Sequence, residues 1–176
     1  MEVSFMLFNK VAIGGTFEKI HKGHVVLIRT AFELGKSVII GLTTDDFVKK
    51  FRKSHNVSPY EVRKERLENF LRWNGWLERA EIIPLEDPYG PTVNDGGIDA
   101  IVVSDETLKT AIKINKIRLK NSLKPLLIID VPLVRAEDGL PISTTRIEKG
   151  IIDCDGNLSI KEKESVLAYV EKYSYV

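Results

Sequence analysis

The chain has little of what marks several classes of protein. Cys154 is its only cysteine, which excludes an intrachain disulfide and favours a reducing compartment such as the cytoplasm. The 26 basic and 25 acidic residues leave a net charge of +1, so we do not expect nucleic-acid binding. No apolar run reaches the ~18 residues of a membrane span, and the short apolar start has no basic lead-in. We therefore expect neither a membrane anchor nor a signal peptide.

What is present is typical of a globular protein. The 176 residues are 43% hydrophobic and 29% charged, and they contain neither internal repeats nor low-complexity segments. This length is sufficient to bury a core without disulfides or metals. We therefore expect residues 1–176 to form a single domain, with a C-terminal helix over about residues 160–173 packing on it.

Short apolar runs that favour β-strands alternate with helical patterns along the chain. The runs cover residues 10–13, 37–42, 80–84, 98–103 and 125–129. This alternation predicts an α/β fold, a Rossmann-like doubly wound sheet of about five parallel strands with flanking helices.

Capping signals predict where helices begin and end. Gly35 follows an amphipathic segment at the position of a helix C-cap, and Ser58 precedes Pro59 and Glu61 as an N-cap does. A further helix is expected after Ser104, because the two acidic residues that follow suit a helix N-terminus. The apolar positions expected to face the core in these two helices are Val62, Leu67, Phe70, Leu71, Leu108, Ala111, Ile112 and Leu119.

The most informative segment is residues 14–24, between the first predicted strand and the first predicted helix. Parallel α/β sheets bind their ligands at such positions. Gly14 and Gly15 allow the backbone to approach a phosphate closely, and the start of the following helix favours negative charge. Thr16 adds a hydroxyl donor to this predicted phosphate site.

Two histidines lie in the same segment. His21 and His24 are three residues apart, so they project in one direction from a first helical turn, with Gly23 between them. A glycine pair after a strand is usually only a turn, and a histidine pair is often merely exposed, but their combination is more specific. A zinc site would lack ligands, since Cys154 is solitary and His55 lies in a polar segment. The pattern is neither a P-loop nor a dinucleotide fingerprint.

A second candidate segment follows the last predicted strand. Ser143, Thr144 and Thr145 present three hydroxyls in succession, and Arg146 follows them. A plain helix N-cap explains Ser143 equally well. The guanidinium at the end of a hydroxyl run favours the alternative, bidentate binding of phosphate oxygens.

Together the two segments resemble the nucleotidylyltransferase superfamily that carries the HxGH signature. The matching patterns are Thr16-Phe17-x-x-x-His21-x-Gly23-His24 and Ile142-Ser-Thr-Thr-Arg146. Residues 31–35, 41–45, 84–92, 100–104 and 136–146 are similar to the archaeal and eukaryotic-like branch of phosphopantetheine adenylyltransferase. Glu18 is a departure, because this position is commonly Asp in the superfamily, but we do not expect the change to abolish activity.

The resemblance implies transfer of AMP from ATP to 4′-phosphopantetheine, giving dephospho-coenzyme A and pyrophosphate. It implies that His21 and His24 hold the triphosphate and stabilise the α-phosphate, and that Thr16 orients the attacking phosphate or an α-phosphate oxygen. The further positions that it implies for nucleotide binding are Gly14, Gly15, Phe17, Gly23, Ser143, Thr144, Thr145 and Arg146.

Several other residues are candidates for substrate contacts but have more than one explanation. A lysine after the second strand often completes such sites, and Lys49, Lys50 and Lys53 all qualify; Lys50 is retained as a possible substrate contact. Ser104 and Asn115 are candidates for an adenosine pocket, although a helix cap and a satisfied helix residue explain them equally well.

The stiff loop at residues 86–92 is expected to border the pantetheine arm through Tyr89 and Thr92. Mg²⁺ is expected to arrive with ATP, bound by phosphate oxygens and water, and we expect no protein ligand for it. The sequence does not predict an oligomeric state.

Two alternative functions are compatible with the same residues. One is another member of the superfamily, a cytidylyltransferase or a nicotinamide-mononucleotide or flavin adenylyltransferase, which would handle the triphosphate in the same way. The other is a non-catalytic module that senses ATP or coenzyme A, although binding alone does not require α-phosphate stabilisers.

Overall fold

A computed structural model of the protein describes residues 6–51 and 57–165. Two compact units can be distinguished: Met1–Glu18 with Val26–Pro132, and Lys19–Val25 with Leu133–Val176. The single domain expected over the whole chain stays a prediction. Lys53 and His55 lie outside the described residues, as does most of the predicted C-terminal helix, of which residues 160–165 are helical.

The first unit contains a five-stranded parallel sheet in its described part, which confirms the predicted fold class. The strands are β1 Phe8–Gly15, β2 Gly35–Thr43, β3 Ala80–Leu85, β4 Ala100–Val103 and β5 Leu127–Asp130. Their order is β3-β2-β1-β4-β5. The direction of winding therefore changes between β1 and β4, and sheets of this kind bind ligands at the carboxyl ends of strands flanking such a point.

The helices alternate with these strands along the chain. They are α1 Lys22–Leu34, α2 Asp45–Phe51, α3 Tyr60–Trp73, α4 Asp105–Lys120 and α5 Thr144–Glu148, with 3₁₀ turns at Leu77–Arg79 and Gly90–Val93. Within the described ranges, no helix is both long and apolar enough to cross a membrane.

The core of the first unit is centred on β2, whose residues from Val38 onward are all buried. Such continuous burial is typical of a parallel strand covered on both faces, as its unbroken apolar sequence predicts. Helix α1 contributes Leu27, Ile28, Ala31 and Phe32 to the same core.

Gly35 has a different role from the predicted helix C-cap. It is the first residue of β2, paired with Phe8 of β1, and its backbone is not in the left-handed region that a C-cap glycine adopts. A Cβ at this position would lie 2.8 Å from Cγ2 of Val11. Close packing at the start of β2, rather than a special φ angle, therefore requires glycine here.

The predictions for α3 were wrong at its start and on one face. Pro59 is the N-cap, and the Ser58 hydroxyl instead donates to the carboxylate of Glu18. Leu67 and Leu71 are buried as predicted, but Val62 is 37% exposed and Phe70 only half-buried. The third inward position of α3 belongs to Arg63, which has no exposed surface. An apolar pattern cannot place a buried arginine, whose charge must be satisfied by specific partners.

Helix α4 shows the same displacement of its buried face. It begins after Ser104 as predicted, but Ile112 and Leu119 are 44% and 61% exposed. Ala111 is buried as predicted, and the other inward positions belong to Ile114 and Arg118. Arg118 is buried because its guanidinium donates to backbone carbonyls of the neighbouring loops.

The second unit has its own small apolar cluster. Ala136, Ile142 and Ile152 form its buried centre. Two isolated antiparallel bridges, Arg135 with Pro141 and Ile152 with Leu158, connect the segments around α5.

Candidate functional site

The first unit brings two threonine hydroxyls together at the carboxyl ends of β1 and β2. Thr16 follows the last residue of β1, and Thr43 is the last residue of β2. Their Oγ1 atoms are 3.3 Å apart, within hydrogen-bond distance. Thr16 therefore lies at the sheet edge where its sequence position predicts a phosphate ligand.

A buried arginine that sequence analysis did not identify supports this pair. Nη1 of Arg63 lies 2.8 Å from the carbonyl oxygen of Thr43 and 3.1 Å from that of Thr16. Its Nε lies 2.8 Å from the carbonyl oxygen of Ser58, and Nη2 lies 2.8 Å from Oδ1 of Asp45. The guanidinium thereby joins the ends of two strands to the starts of two helices.

Asp45 is the charged partner of Arg63. Desolvation would by itself raise the pKa of Asp45, but the backbone N–H of Tyr60 and the Arg63 guanidinium outweigh it and hold this pKa below its usual value. The carboxylate is therefore ionised at neutral pH and balances the buried charge.

Glu18 holds the loop after Thr16 against the start of α3. Its carboxylate is almost fully buried; Oε2 accepts the Ser58 N–H at 2.8 Å and Oε1 accepts the Ser58 hydroxyl at 2.7 Å. Arg66 approaches Oε1 to 3.6 Å. The longer side chain at this position thus has a structural use, which is to span the distance between the loop and α3.

Phe17, predicted to bind nucleotide, is 1% exposed and has a positive φ of 47°. A Cβ at Gly15 would lie 3.1 Å from its ring, so the ring packs directly over that glycine. This packing accounts for glycine at position 15, while the role of Phe17 toward a nucleotide stays a prediction.

The two histidines belong to the second unit and are stacked on each other. Their ring centroids are 3.9 Å apart and their planes are inclined by 26°. Nδ1 of His24 lies 3.0 Å from the carbonyl oxygen of Lys19, which can only accept, so Nδ1 carries a proton. A Cβ at Gly23 would lie 3.1 Å from Cε1 of His21, so glycine leaves room for that ring.

His21 is buried, and one of its ring nitrogens has no hydrogen-bond partner. Burial lowers the pKa of His21 below its ordinary value of 6.5, and a smaller opposing effect of its own backbone does not offset this. Its Nδ1 is the single buried side-chain nitrogen or oxygen in residues 6–51 and 57–165 without a hydrogen-bond partner. A buried polar group without a partner reduces the stability of a core, so its presence in a folded protein is typical of a residue with a function.

The second unit also contains the second predicted segment. Ser143 is the N-cap of α5, and its Oγ accepts the Arg146 N–H at 3.4 Å. Thr144 and Thr145 form the first turn of α5 and are half-buried. Within the same unit, the Lys22 N–H donates to the Cys154 carbonyl at 2.9 Å, so the histidine segment is bonded to the C-terminal part of the chain.

The guanidinium of Arg146 is held by a neighbour that sequence analysis did not find. It donates to the carboxylate of Asp138, and its Nη1 lies 3.0 Å from the carbonyl oxygen of Pro141. Desolvation would raise the pKa of Asp138, but the Leu140 N–H and Arg146 outweigh it and lower this pKa. No sequence signal distinguishes Asp138 from the other loop carboxylates.

A mostly apolar cavity lies in the first unit beneath the loop at residues 86–92. Its volume is about 50 Å³. Its lining includes Tyr89 and Thr92, and their predicted position beside a pantetheine arm stays a prediction. The remaining lining residues are Ala12, Ile13, Gly14, Ile39, Gly41, Ile83, Leu85, Pro88, Pro91, Ile101 and Ile114.

The loop over this cavity is fixed by hydrogen bonds within it and by Arg118 at its C-terminal end. Oδ1 of Asp87 accepts the N–H groups of Tyr89 and Gly90 at 2.7 and 2.8 Å. Nη1 of Arg118 lies 2.6 Å from the carbonyl oxygen of Thr92 and 2.8 Å from that of Asp95. The loop therefore forms part of the cavity wall, and hydrogen bonds fix its backbone there.

Other candidates have visible structural roles. The Ser104 N–H donates to Oγ1 of Thr107 in a capping box at the start of α4. Asn115 exchanges two hydrogen bonds with the backbone of Leu126, at 2.9 and 2.7 Å. Lys50 is exposed on α2, and Lys49 there pairs with Asp46 at 3.7 Å. The role of Lys50 toward a substrate stays a prediction.

In the part of the chain that the structure describes, no group of three or more His, Cys, Asp or Glu side chains is arranged to hold a metal ion. Cys154 is free and exposed.

A family model and several named proteins match most of this chain. A family model described as cytidylyltransferase-like matches residues 12–150. The phosphopantetheine adenylyltransferase of Methanosarcina mazei is 48% identical over 152 residues, covering 85% of this chain and 96% of that protein. The enzyme of the same name from Methanopyrus kandleri is 45% identical over 146 residues, covering 83% and 92%.

Solved structures share the fold. A protein of unknown function from Archaeoglobus fulgidus superposes with a TM-score of 0.63 at 35% identity, covering 70% of this chain and 89% of that one. Tyrosyl-tRNA synthetase from the same organism, at 14% identity and a TM-score of 0.60, covers 78% of this chain and 59% of its own and shows the fold alone. Because the named archaeal relatives match over most of both chains, the protein described here belongs to the phosphopantetheine adenylyltransferase family.

Proposed function

We propose that this protein transfers AMP from ATP to 4′-phosphopantetheine in coenzyme A biosynthesis, forming dephospho-coenzyme A and pyrophosphate. The proposal is carried by its similarity to archaeal proteins named phosphopantetheine adenylyltransferase, at 40–48% identity over most of the chain. The position of Thr16 at the end of β1 and the stacked pair of His21 and His24 each support it.

The reaction requires positioning and charge stabilisation more than covalent chemistry. An oxygen of the 4′-phosphate attacks the α-phosphorus of ATP, a new P–O bond forms, and the bond to the bridging oxygen of pyrophosphate breaks. Negative charge grows on the α-phosphate oxygens as the attack proceeds. Donors held in place can therefore lower the barrier without any nucleophile from the protein.

His24 is suited to donate to those oxygens. Because Nδ1 donates to the Lys19 carbonyl, the other nitrogen, Nε2, can donate only when the ring is an imidazolium. Burial favours the neutral form of His21, against which His24 is stacked. A positive His24 then avoids a second positive charge 3.9 Å away, between ring centroids.

Thr16 supplies a hydroxyl at the end of β1, next to the point where the winding of the sheet changes direction. We assign it the attacking phosphate or an α-phosphate oxygen. Gly14 and Gly15 precede it at the end of β1, and Ser104 follows β4 on the other side of the switch, where an adenosine would be accommodated.

The segment at α5 is assigned to the phosphates that leave. Arg146 uses two of its five N–H donors on Asp138 and Pro141 in the contacts described above, so a phosphate can be bound by the others. The hydroxyls of Ser143, Thr144 and Thr145 stand at the start of the same helix.

The apolar cavity beneath the loop at residues 86–92 is assigned to the pantetheine arm. An apolar lining with a few polar groups is typical of small-molecule sites, and Tyr89 and Thr92 supply such groups here. Mg²⁺ is proposed to enter with ATP, held by phosphate oxygens and water. We further propose a cytoplasmic location.

The proposal is tested by incubating the full chain with ATP, Mg²⁺ and 4′-phosphopantetheine and detecting dephospho-coenzyme A by mass spectrometry. A parallel panel offers ATP or CTP with nicotinamide mononucleotide, flavin mononucleotide and a phosphorylated alcohol, with released pyrophosphate as the signal. Efficient turnover only with 4′-phosphopantetheine and ATP is expected. Preference for another pair would reassign the enzyme within the superfamily, and nucleotide binding without turnover would indicate a sensor.

A further inference from the structure

We propose that Arg63 is a positioning residue which, through Thr43, directs the hydroxyl proton of Thr16 toward the substrate phosphate. The inference rests on the proposed function, since it requires that Thr16 contacts a phosphate. Arg63 itself has its donors in the protein and is not a catalytic residue.

The first step of the argument is the set of partners around the guanidinium. Arg63 has no exposed surface, and Nη1 contacts both strand-end carbonyls, of Thr16 and Thr43. Ser58 binds Nε and Asp45 binds Nη2, so three sides of the planar group are held. A guanidinium fixed in this way has one orientation, which a flexible lysine would not reproduce.

The second step concerns the direction of the hydrogen bonds. Nη1 of Arg63 also lies 3.4 Å from Oγ1 of Thr43. The guanidinium carries only donors, so the lone pairs of that hydroxyl turn toward the guanidinium and its proton turns away. The acceptor 3.3 Å away is Oγ1 of Thr16, which therefore receives the Thr43 proton.

The third step follows for Thr16. A hydroxyl has one proton, and Oγ1 of Thr16 already accepts from Thr43, so its own proton is directed to a different acceptor. Phosphate oxygens only accept hydrogen bonds. The relay from Arg63 through Thr43 thus presets Thr16 as the donor that a phosphate requires, before the substrate arrives.

The main test uses Thr43→Val, which removes the relaying hydroxyl and keeps the shape of the side chain. We expect kcat for dephospho-coenzyme A formation to fall about 10-fold, the effect of misdirecting one hydrogen bond. KM for ATP and the melting temperature should stay close to the wild-type values. Thr110→Val, at a half-buried position on α4, is the matched control and should leave kcat unchanged.

A double-mutant cycle distinguishes the relay from a general disturbance. Thr16→Val should lower kcat further than Thr43→Val, and Thr43→Val should have almost no added effect in the Thr16→Val background. Arg63→Lys keeps the charge but loses the fork, so it should lower kcat at least as much as Thr43→Val; if this variant does not fold, the threonine cycle still decides.

Two outcomes overturn the inference in different ways. If the wild-type protein forms dephospho-coenzyme A but Thr43→Val has normal kcat, or lowers it by the same factor with and without Thr16, Arg63 and Thr43 do not position Thr16. If the wild-type protein forms no dephospho-coenzyme A, the proposed function fails, and the positioning role fails with it.

Discussion

The imidazole rings of His21 and His24 are stacked with centroids 3.9 Å apart, and the two rings differ in their surroundings. Nδ1 of His24 is bound to the Lys19 carbonyl, whereas Nδ1 of His21 is buried without a partner. Burial favours the neutral form of His21 by lowering its pKa. The two histidines of the motif therefore differ in hydrogen bonding although their rings are in contact.

His24→Ala should lower kcat by about 10²–10³, because one preorganised donor to the developing charge is lost. The dissociation constant for ATP should change less, within ~10-fold, since the contact strengthens only in the transition state. Loss of the hydrogen bond to Lys19 should reduce the unfolding free energy by only about 1 kcal/mol. Single-turnover rates at saturating ATP, with melting temperatures, measure both effects.

Two further substitutions separate the nitrogens of this ring. The amide of His24→Asn can replace Nδ1 toward Lys19, so stability should recover but kcat should not. His24→Gln places a donor near Nε2 and should recover part of kcat. A His24→Ala protein that melts early yet turns over normally when folded would make His24 structural.

The pH dependence of stability should report on His21. Because the pKa of His21 is lower in the folded protein than in the unfolded chain, the unfolded chain takes up the proton first. The stabilising contribution is complete above the unfolded value of 6.5 and is lost as the pH falls below it, by at most about 1.4 kcal/mol per pH unit for one proton. Urea unfolding of wild type and His21→Phe at pH 5.5 and 7.5 should show a smaller pH dependence in the variant; equal dependence would contradict the assignment.

Arg146→Ala should weaken ATP binding by about 10–100-fold, while AMP binding should change little, because the assigned contacts are to the β- and γ-phosphates. Titration calorimetry with both nucleotides measures the difference. Arg135→Ala is the charge-matched control in the same unit, since its guanidinium is bound to the Gly139 carbonyl. Equal losses for ATP and AMP would remove Arg146 from the leaving phosphates.

Glu18→Ala should destabilise the protein by about 2–4 kcal/mol, because a buried carboxylate is lost and the Ser58 N–H is left without its acceptor. Glu18→Asp should lose roughly half as much, since the shorter side chain cannot reach both donors of Ser58. Urea unfolding at constant m-value measures these changes. Glu86→Ala, at an exposed position, should stay within ~0.5 kcal/mol of the wild type.

Local sequence patterns were sufficient for the sheet and for the location of the motifs. The five apolar runs all became strands, because a run buried on both faces of a parallel sheet has few other places in a soluble chain. The helix after Ser104 also begins as predicted, since its capping signals act over only three or four residues.

Positions that depend on partners distant in the sequence could not be predicted. Arg63 and Arg118 lie on patterns that would usually place arginine in solvent, and each is buried because carbonyls from other elements accept its donors. Gly35 was interpreted through its neighbours in sequence, whereas Val11, 24 residues earlier, is what requires glycine there.

By itself, then, the sequence of this protein determined an α/β sheet, a glycine-rich turn carrying two histidines, and a hydroxyl run ending in Arg146. The tertiary structure decided which neighbours these groups have. The buried Arg63 bonds the carbonyls of Thr16 and Thr43, His21 stacks on His24, and Asp138 pairs with Arg146. The physical reason is the difference in sequence separation over which the two kinds of interaction act. Propensity and periodicity act between residues a few positions apart, whereas desolvation and hydrogen-bond direction depend on whatever the fold brings into contact.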